Sequence, residues 1–151
     1  GQVTGKQNLF ENSPFDEGTE MILSKSKVPV GVLIDKDLEK LDRIFIPILS
    51  KDDLFLMNFA HKFINNSSSQ ITVLDVANQI KSNQEMKEAI RAIEHTAPNH
   101  INLINERTID KALLKQSDLM LVSLDSWKKL VESKSLWLSE IPSCLILTGK
   151  D

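Results

Sequence analysis

The sequence predicts an α/β protein: a three-layer α/β/α domain on a mostly parallel five-stranded sheet of order 3-2-1-4-5, with one added N-terminal strand antiparallel at its edge. Three observations carry this. From Asp42 onward, short apolar runs alternate with stretches of helical spacing. The runs are continuously apolar, as in strands covered on both faces. One further run, residues 28–34, stands ahead of the alternation without a complete unit of its own.

Residues 44–49, Ile-Phe-Ile-Pro-Ile-Leu, form the first strand of the alternation. Pro47 has no N–H to give a ladder, which conflicts with a central position. Ser50-Lys51-Asp52-Asp53 reads as a helix N-cap with an acid three residues later. Leu56, Phe59, Ala60 and Phe63 follow on one helical face, and the polar run 65–69 ends that helix. Residues 71–76, rich in β-branched side chains, make the second strand. Ser82-x-x-Glu85 opens the next helix as a capping box, with Met86, Ala89, Ile90, Ile93 and Ala97 inward and Pro98-Asn99 as its stop.

Ile101–Ile104 is a short third strand, and Thr108 caps a short helix carrying Ile109, Ala112 and Leu113. Residues 119–122 form the fourth strand. Asp125 or Ser126 caps a helix bearing Trp127, Leu130 and Val131, and Ser143–Leu147 closes the series. Ahead of Asp42 lie a short helix over residues 19–25, the strand 28–34 and the charged linker 35–40. The chain thus reads as one domain over 1–151. Residues 1–41 are the tail of an upstream repeat with its linker, and 42–151 a complete second repeat.

Charge and composition exclude several classes. Lys and Arg number 18 against 21 Asp and Glu, a net charge of -3, so there is no basic excess for a nucleic acid. No apolar stretch approaches the ~18 residues that span a bilayer. The single Cys144 lies in an apolar run, cannot form an internal disulfide, and fits a reducing compartment.

Gly5-x2-Asn8-x9-Gly18-Thr19 matches, with Asn8 for the second glycine, the phosphate-loop spacing of universal stress proteins, and the following helix and Val28-Pro29-Val30-Gly31-Val32 resemble the end of such a repeat. Residues 42–148 resemble a second repeat. Ser26-Lys27-Val28-Pro29-Val30-Gly31-Val32-Leu33-Ile34-Asp35 is similar to the linker in the cytosolic tails of bacterial monovalent cation:proton antiporters, relatives of the plant cation/H+ exchangers. This resemblance implies a universal stress protein-like fold and a non-catalytic regulatory or sensory domain at the cytoplasmic face of the bacterial inner membrane. Its partner would be the membrane transport domain of the same polypeptide, with a homodimer as a further expectation.

Two alternatives stand beside it: a free-standing universal stress protein binding adenine nucleotide, and a ligand-free dimerisation module. Gly5, Asn8, Gly18 and Thr19 are the candidate phosphate residues, since free N–H groups at a helix start attract anions; Gly18-Thr19 also reads as a plain helix N-cap. The second repeat lacks its own glycine motif, because no Gly occurs between Gly31 and Gly149, and Ile48-Leu49-Ser50 replaces the family's adenine-contacting acid. No cofactor is therefore expected there, adenine nucleotide being the candidate ligand if one binds.

A phosphoacceptor receiver shares this alternation of strands and helices. Asp52, Asp53 and Lys150 mimic two of its parts, but Leu103-Ile104-Asn105 supplies no acceptor Asp after the third strand. His61, His95 and His100 lack ligand spacing, and the calcium-loop-like Asp35-x-Asp37-x-Glu39 has Lys40 where Gly is required. No nucleophile arrangement appears, so no enzyme is expected. Trp127 and Trp137 are expected to pack the sheet face, with Trp137 a candidate for an interface.

Overall fold

A computed structural model describes residues 31–76, 78–107, 111–133 and 136–148, with backbone alone for 136 and 137. Its centre is a six-stranded mixed sheet. The strands are β1 (Gly31–Ile34), β2 (Arg43–Ile48), β3 (Gln70–Asp75), β4 (Ile101–Ile104), β5 (Leu119–Ser123) and β6 (Ser143–Leu147), in the spatial order β1-β6-β5-β2-β3-β4. Counted from Arg43, the parallel strands therefore lie 3-2-1-4-5. β1 adds outside the fifth and runs antiparallel to β6, with Gly31 opposite Leu147 and Ile34 opposite Cys144. Residues 31–34 of the expected leading strand lie in this position; the rest of it, the helix at 19–25, and Gly5, Asn8, Gly18 and Thr19 fall outside the described residues.

The helices are α1 (Leu56–Ser67), α2 (Gln84–Thr96), α3 (Lys111–Gln116) and α4 (Leu124–Glu132), with 3-10 turns at Lys51–Phe55 and Leu136–Glu140. Alternation along the strands divides the core in two. Ile44, Ile46, Ile48, Ile71, Val73, Leu119 and Leu121 meet Leu56, Met57, Ala60, Ile64, Met86 and Ile93 of α1 and α2 on one face. Phe45, Leu74, Met120, Val122, Cys144 and Ile146 meet Leu114, Trp127 and Leu130 of α3 and α4 on the other. Each inward side chain, once removed from water, contributes on the order of 1.5–3 kcal/mol.

Local signals set most boundaries, with three corrections. Ser50 and Asp53 form the expected capping box, but over a 3-10 turn that passes into α1. The cap of α2 is Asn83, whose side chain accepts from the Met86 N–H at 3.2 Å. Ser82 instead donates its hydroxyl to the Asn78 carbonyl at 2.9 Å, closing the turn before the helix. The cap of α4 is Ser123, not Asp125 or Ser126: β5 passes directly into the helix, and the last strand residue does the capping. In α3 the deeply buried residue is Leu114, at 1% exposure, with Leu113 only half-buried. The expected Thr108 cap and Ile109 lie outside the described residues, as does the side chain of Trp137.

Candidate functional site

The direction of the winding reverses between β2 and β5. From β2 the chain builds β3 and β4 on one side, then crosses to β5 and β6 on the other. In open α/β sheets the crevice beyond the carboxyl ends of the strands at such a reversal is where ligands bind.

Pro47 borders this crevice. The carbonyls of Asp42 and Ile48 accept from Gln70 and Val76 of the β3 side, whereas Arg43 presents its carbonyl to Asp118 on the β5 side. Strand alternation then turns the nitrogen of Pro47 towards β5. The ladder between β2 and β5 contains only the pairs Ile44–Leu119 and Phe45–Met120, whereas that between β2 and β3 runs through Ile48–Asp75. The missing N–H thus costs no bond, because the two strands have already parted.

Asp53 fills the gap. It is 1% exposed, and its carboxylate accepts four hydrogen bonds. Ser123 Oγ donates to Oδ1 at 2.5 Å; Ser126 Oγ, Leu49 N and Ser50 N donate to Oδ2 at 2.8, 2.9 and 3.3 Å. Ser123 Oγ also accepts from the Ser126 N–H at 3.1 Å and so caps α4. The N-terminus of a helix favours an anion, and here the chain supplies its own. Asp53 ties the turn after β2 to the start of α4, across the opening that a ligand would enter.

A second buried carboxylate stands one strand away. Asp75, at the end of β3, accepts from Gln79 N at 2.7 Å, Ile80 N at 3.0 Å and Lys81 N at 3.3 Å. It shapes the turn that leads to α2. Asp53 has its acceptor capacity taken up by the fold, and Asp75 spends three of about four acceptor sites on the turn that follows it.

The remaining candidates are dispersed. His61 Nε2 lies 3.4 Å from Thr96 Oγ1, His100 Nδ1 lies 3.1 Å from the Ser69 carbonyl oxygen, and His95 is exposed. Among the described residues no three His, Cys, Asp or Glu side chains gather where they could hold a metal ion. Cys144 is buried, and desolvation pushes its thiol well above the ordinary range, the charge of Lys36 acting in the opposite direction. A groove of about 400 Å³ opens at the amino ends of the strands, between the linker and α3. Its Lys36 donates to the Ile141 carbonyl and its Lys115 pairs with Glu140, so these cations already have partners. Among the described residues no helix is long and apolar enough to cross a membrane.

Sequence reasoning placed Asp53 as a capping acid and as one of a receiver-like acidic pair, and missed its union with Ser123 and Ser126. The available signal was topological: in a 3-2-1-4-5 sheet, polar residues directly after the first and fourth strands must meet.

Two solved proteins are similar to this chain, to different extents. A universal stress protein from Archaeoglobus fulgidus DSM 4304 is 12% identical with a TM-score of 0.55, the match covering 87% of this chain and 54% of that one. A universal stress protein solved in complex with cAMP is 11% identical with a TM-score of 0.48, covering 73% of this chain and 98% of that one. No protein-family model matches the sequence, and no curated protein matches it. The chain has a universal stress protein-like fold.

Proposed function

We propose that the chain is a non-catalytic regulatory domain, acting through protein contacts, from the cytosolic part of a cation:proton antiporter. The observation that carries the ligand-independent part is Asp53. Its carboxylate occupies the crevice at which this sheet topology takes ligands, and four donors are spent on it. A nucleotide phosphate would have to displace a buried, fully bonded anion from the start of α4. The antiporter part rests on residues 26–35, whose resemblance to the linker of those tails is set out above, and on the placing of β1. The four residues of β1 belong to that stretch, just ahead of the charged residues 35–40, and cover the edge of β6.

The mechanism follows from population shift. A domain whose contacts differ between two transporter conformations biases them by that difference alone, and ~1–3 kcal/mol gives a 5–150-fold effect. The cAMP held by the neighbouring universal stress protein supplies the competing outcome, a nucleotide sensor. A thermal-shift series with ATP, ADP, AMP and cAMP separates them, since a ligand held at one hundred times Kd adds about 2.7 kcal/mol. No shift is expected, and a clear one overturns the ligand-independent reading. Reconstituted cation:proton exchange by the polypeptide carrying this chain, with and without residues 42–151, tests the antiporter reading. Exchange should persist but change its activation; a polypeptide with no exchange activity removes it.

A further inference from the structure

The far edge of the sheet is β4, and its outward side has no cover among the described residues. The carbonyl of His100 accepts from Ile71 of β3 at 2.8 Å, so the even-numbered residues direct their N–H and C=O groups inward. Ile101 and Leu103 then direct theirs outward, and no described residue bonds to them. Exposed edges are ordinarily blunted by charge, proline or a bulge. Residues 101–105 read Ile-Asn-Leu-Ile-Asn, with none of these, and Leu103 is the exposed large apolar side chain among the described residues, at 41%. The opposite edge, β1, runs straight into Asp35-Lys36-Asp37.

We infer that β4 pairs with β4 of a second copy of this chain, antiparallel about a two-fold axis through Leu103, joining two sheets into one. The register is self-complementary. Leu103 faces Leu103 of the second copy as a hydrogen-bonded pair, and Ile101 faces Asn105 on either side once pairing extends β4 by one residue past Ile104, giving about six inter-chain bonds. The flanks complement each other as well: His100 and Glu106 lie three residues either side of Leu103, so each meets the other across the axis. The inference is independent of the antiporter reading, and a failure of either leaves the other standing.

Sedimentation velocity of the intact 151-residue chain, from low micromolar to sub-millimolar, tests it. The wild type should show a concentration-dependent dimer, and Leu103→Lys should raise the dissociation midpoint at least ~10-fold, because two like charges would oppose each other at the axis. Glu106→Lys should weaken it too, and both variants keep an unaltered circular dichroism spectrum because their side chains are exposed. The centre also predicts a covalent trap. Cα atoms of a hydrogen-bonded antiparallel pair lie about 5.5 Å apart, inside the disulfide range of about 4.4–6.8 Å. Leu103→Cys should therefore cross-link under mild oxidation far faster than the exposed control Lys51→Cys. A strictly monomeric wild type, a Leu103→Lys variant that dimerises undiminished, or equal cross-linking of the two cysteines would each overturn the inference.

Discussion

Removing the Asp53 carboxylate should be among the most damaging single changes in this chain. In Asp53→Ala the hydroxyls of Ser123 and Ser126 and the N–H groups of Leu49 and Ser50 all lose their acceptor. The two hydroxyls can turn towards other acceptors; the two N–H groups cannot. An orphaned buried donor costs about 1–3 kcal/mol and a lost cap about 1 kcal/mol. Allowing for non-additivity among four bonds to one group, the expected loss is ~3–5 kcal/mol. For a chain of this length that lowers Tm by roughly 10 °C or more. Asp53→Asn retains one carbonyl oxygen and the shape, and should cost about half as much. Asp52→Ala, one residue away but exposed, should stay within ~0.5 kcal/mol. Urea denaturation of the three variants measures all of this. An Asp53→Ala loss under ~1 kcal/mol would refute the account of the crevice as closed by that carboxylate, since the bonds would then contribute no more than surface contacts.

The other predictions are briefer. Cys144 should resist thiol reagents until the protein unfolds, because its thiol is buried and held protonated. Its raised folded pKa contributes stability that is whole below the unfolded thiol value of about 8.5 and falls as pH rises above it, by up to ~1.4 kcal/mol per unit; Cys144→Ala should remove that component. Leu114→Ala should cost ~2–5 kcal/mol in chemical denaturation, since this is the deeply buried side chain of α3. Trp127→Phe should cost much less than its size suggests: the buried Nε1 has no hydrogen-bond partner among the described residues, so its removal recovers part of the lost area. A loss above ~3 kcal/mol would point to a bridging water at that nitrogen.

How much of this was legible in the sequence depends on the range of the interaction. Continuous runs such as Ile44-Phe45-Ile46 and Leu119-Met120-Leu121-Val122 identify strands because their two faces are covered, whatever covers them. The spacing of Leu56, Ala60 and Phe63, or of Met86 and Ile93, places a helix and its inner face. Caps were legible to within one to three residues, and they failed where several candidates stood together. Ser82 and Asn83 compete for one helix start, and Ser123, Asp125 and Ser126 for another; the winner was the residue that the preceding turn or strand held in extended conformation.

By itself, then, the sequence determined the alternation, the strand order that right-handed crossovers permit, and the antiparallel placing of residues 31–34 against the last strand. The first two follow from local pattern and from chirality, which every segment carries within it; the third followed from the resemblance to universal stress repeats, which pair at that edge. Tertiary structure alone decided what fills the crevice. Asp53 lies 70 residues from Ser123 and 73 from Ser126 in the chain, and nothing in either segment specifies the other. Only when β2 and β5 become neighbours, and their upper ends part beyond Phe45, does a capping acid become the anion that closes the sheet.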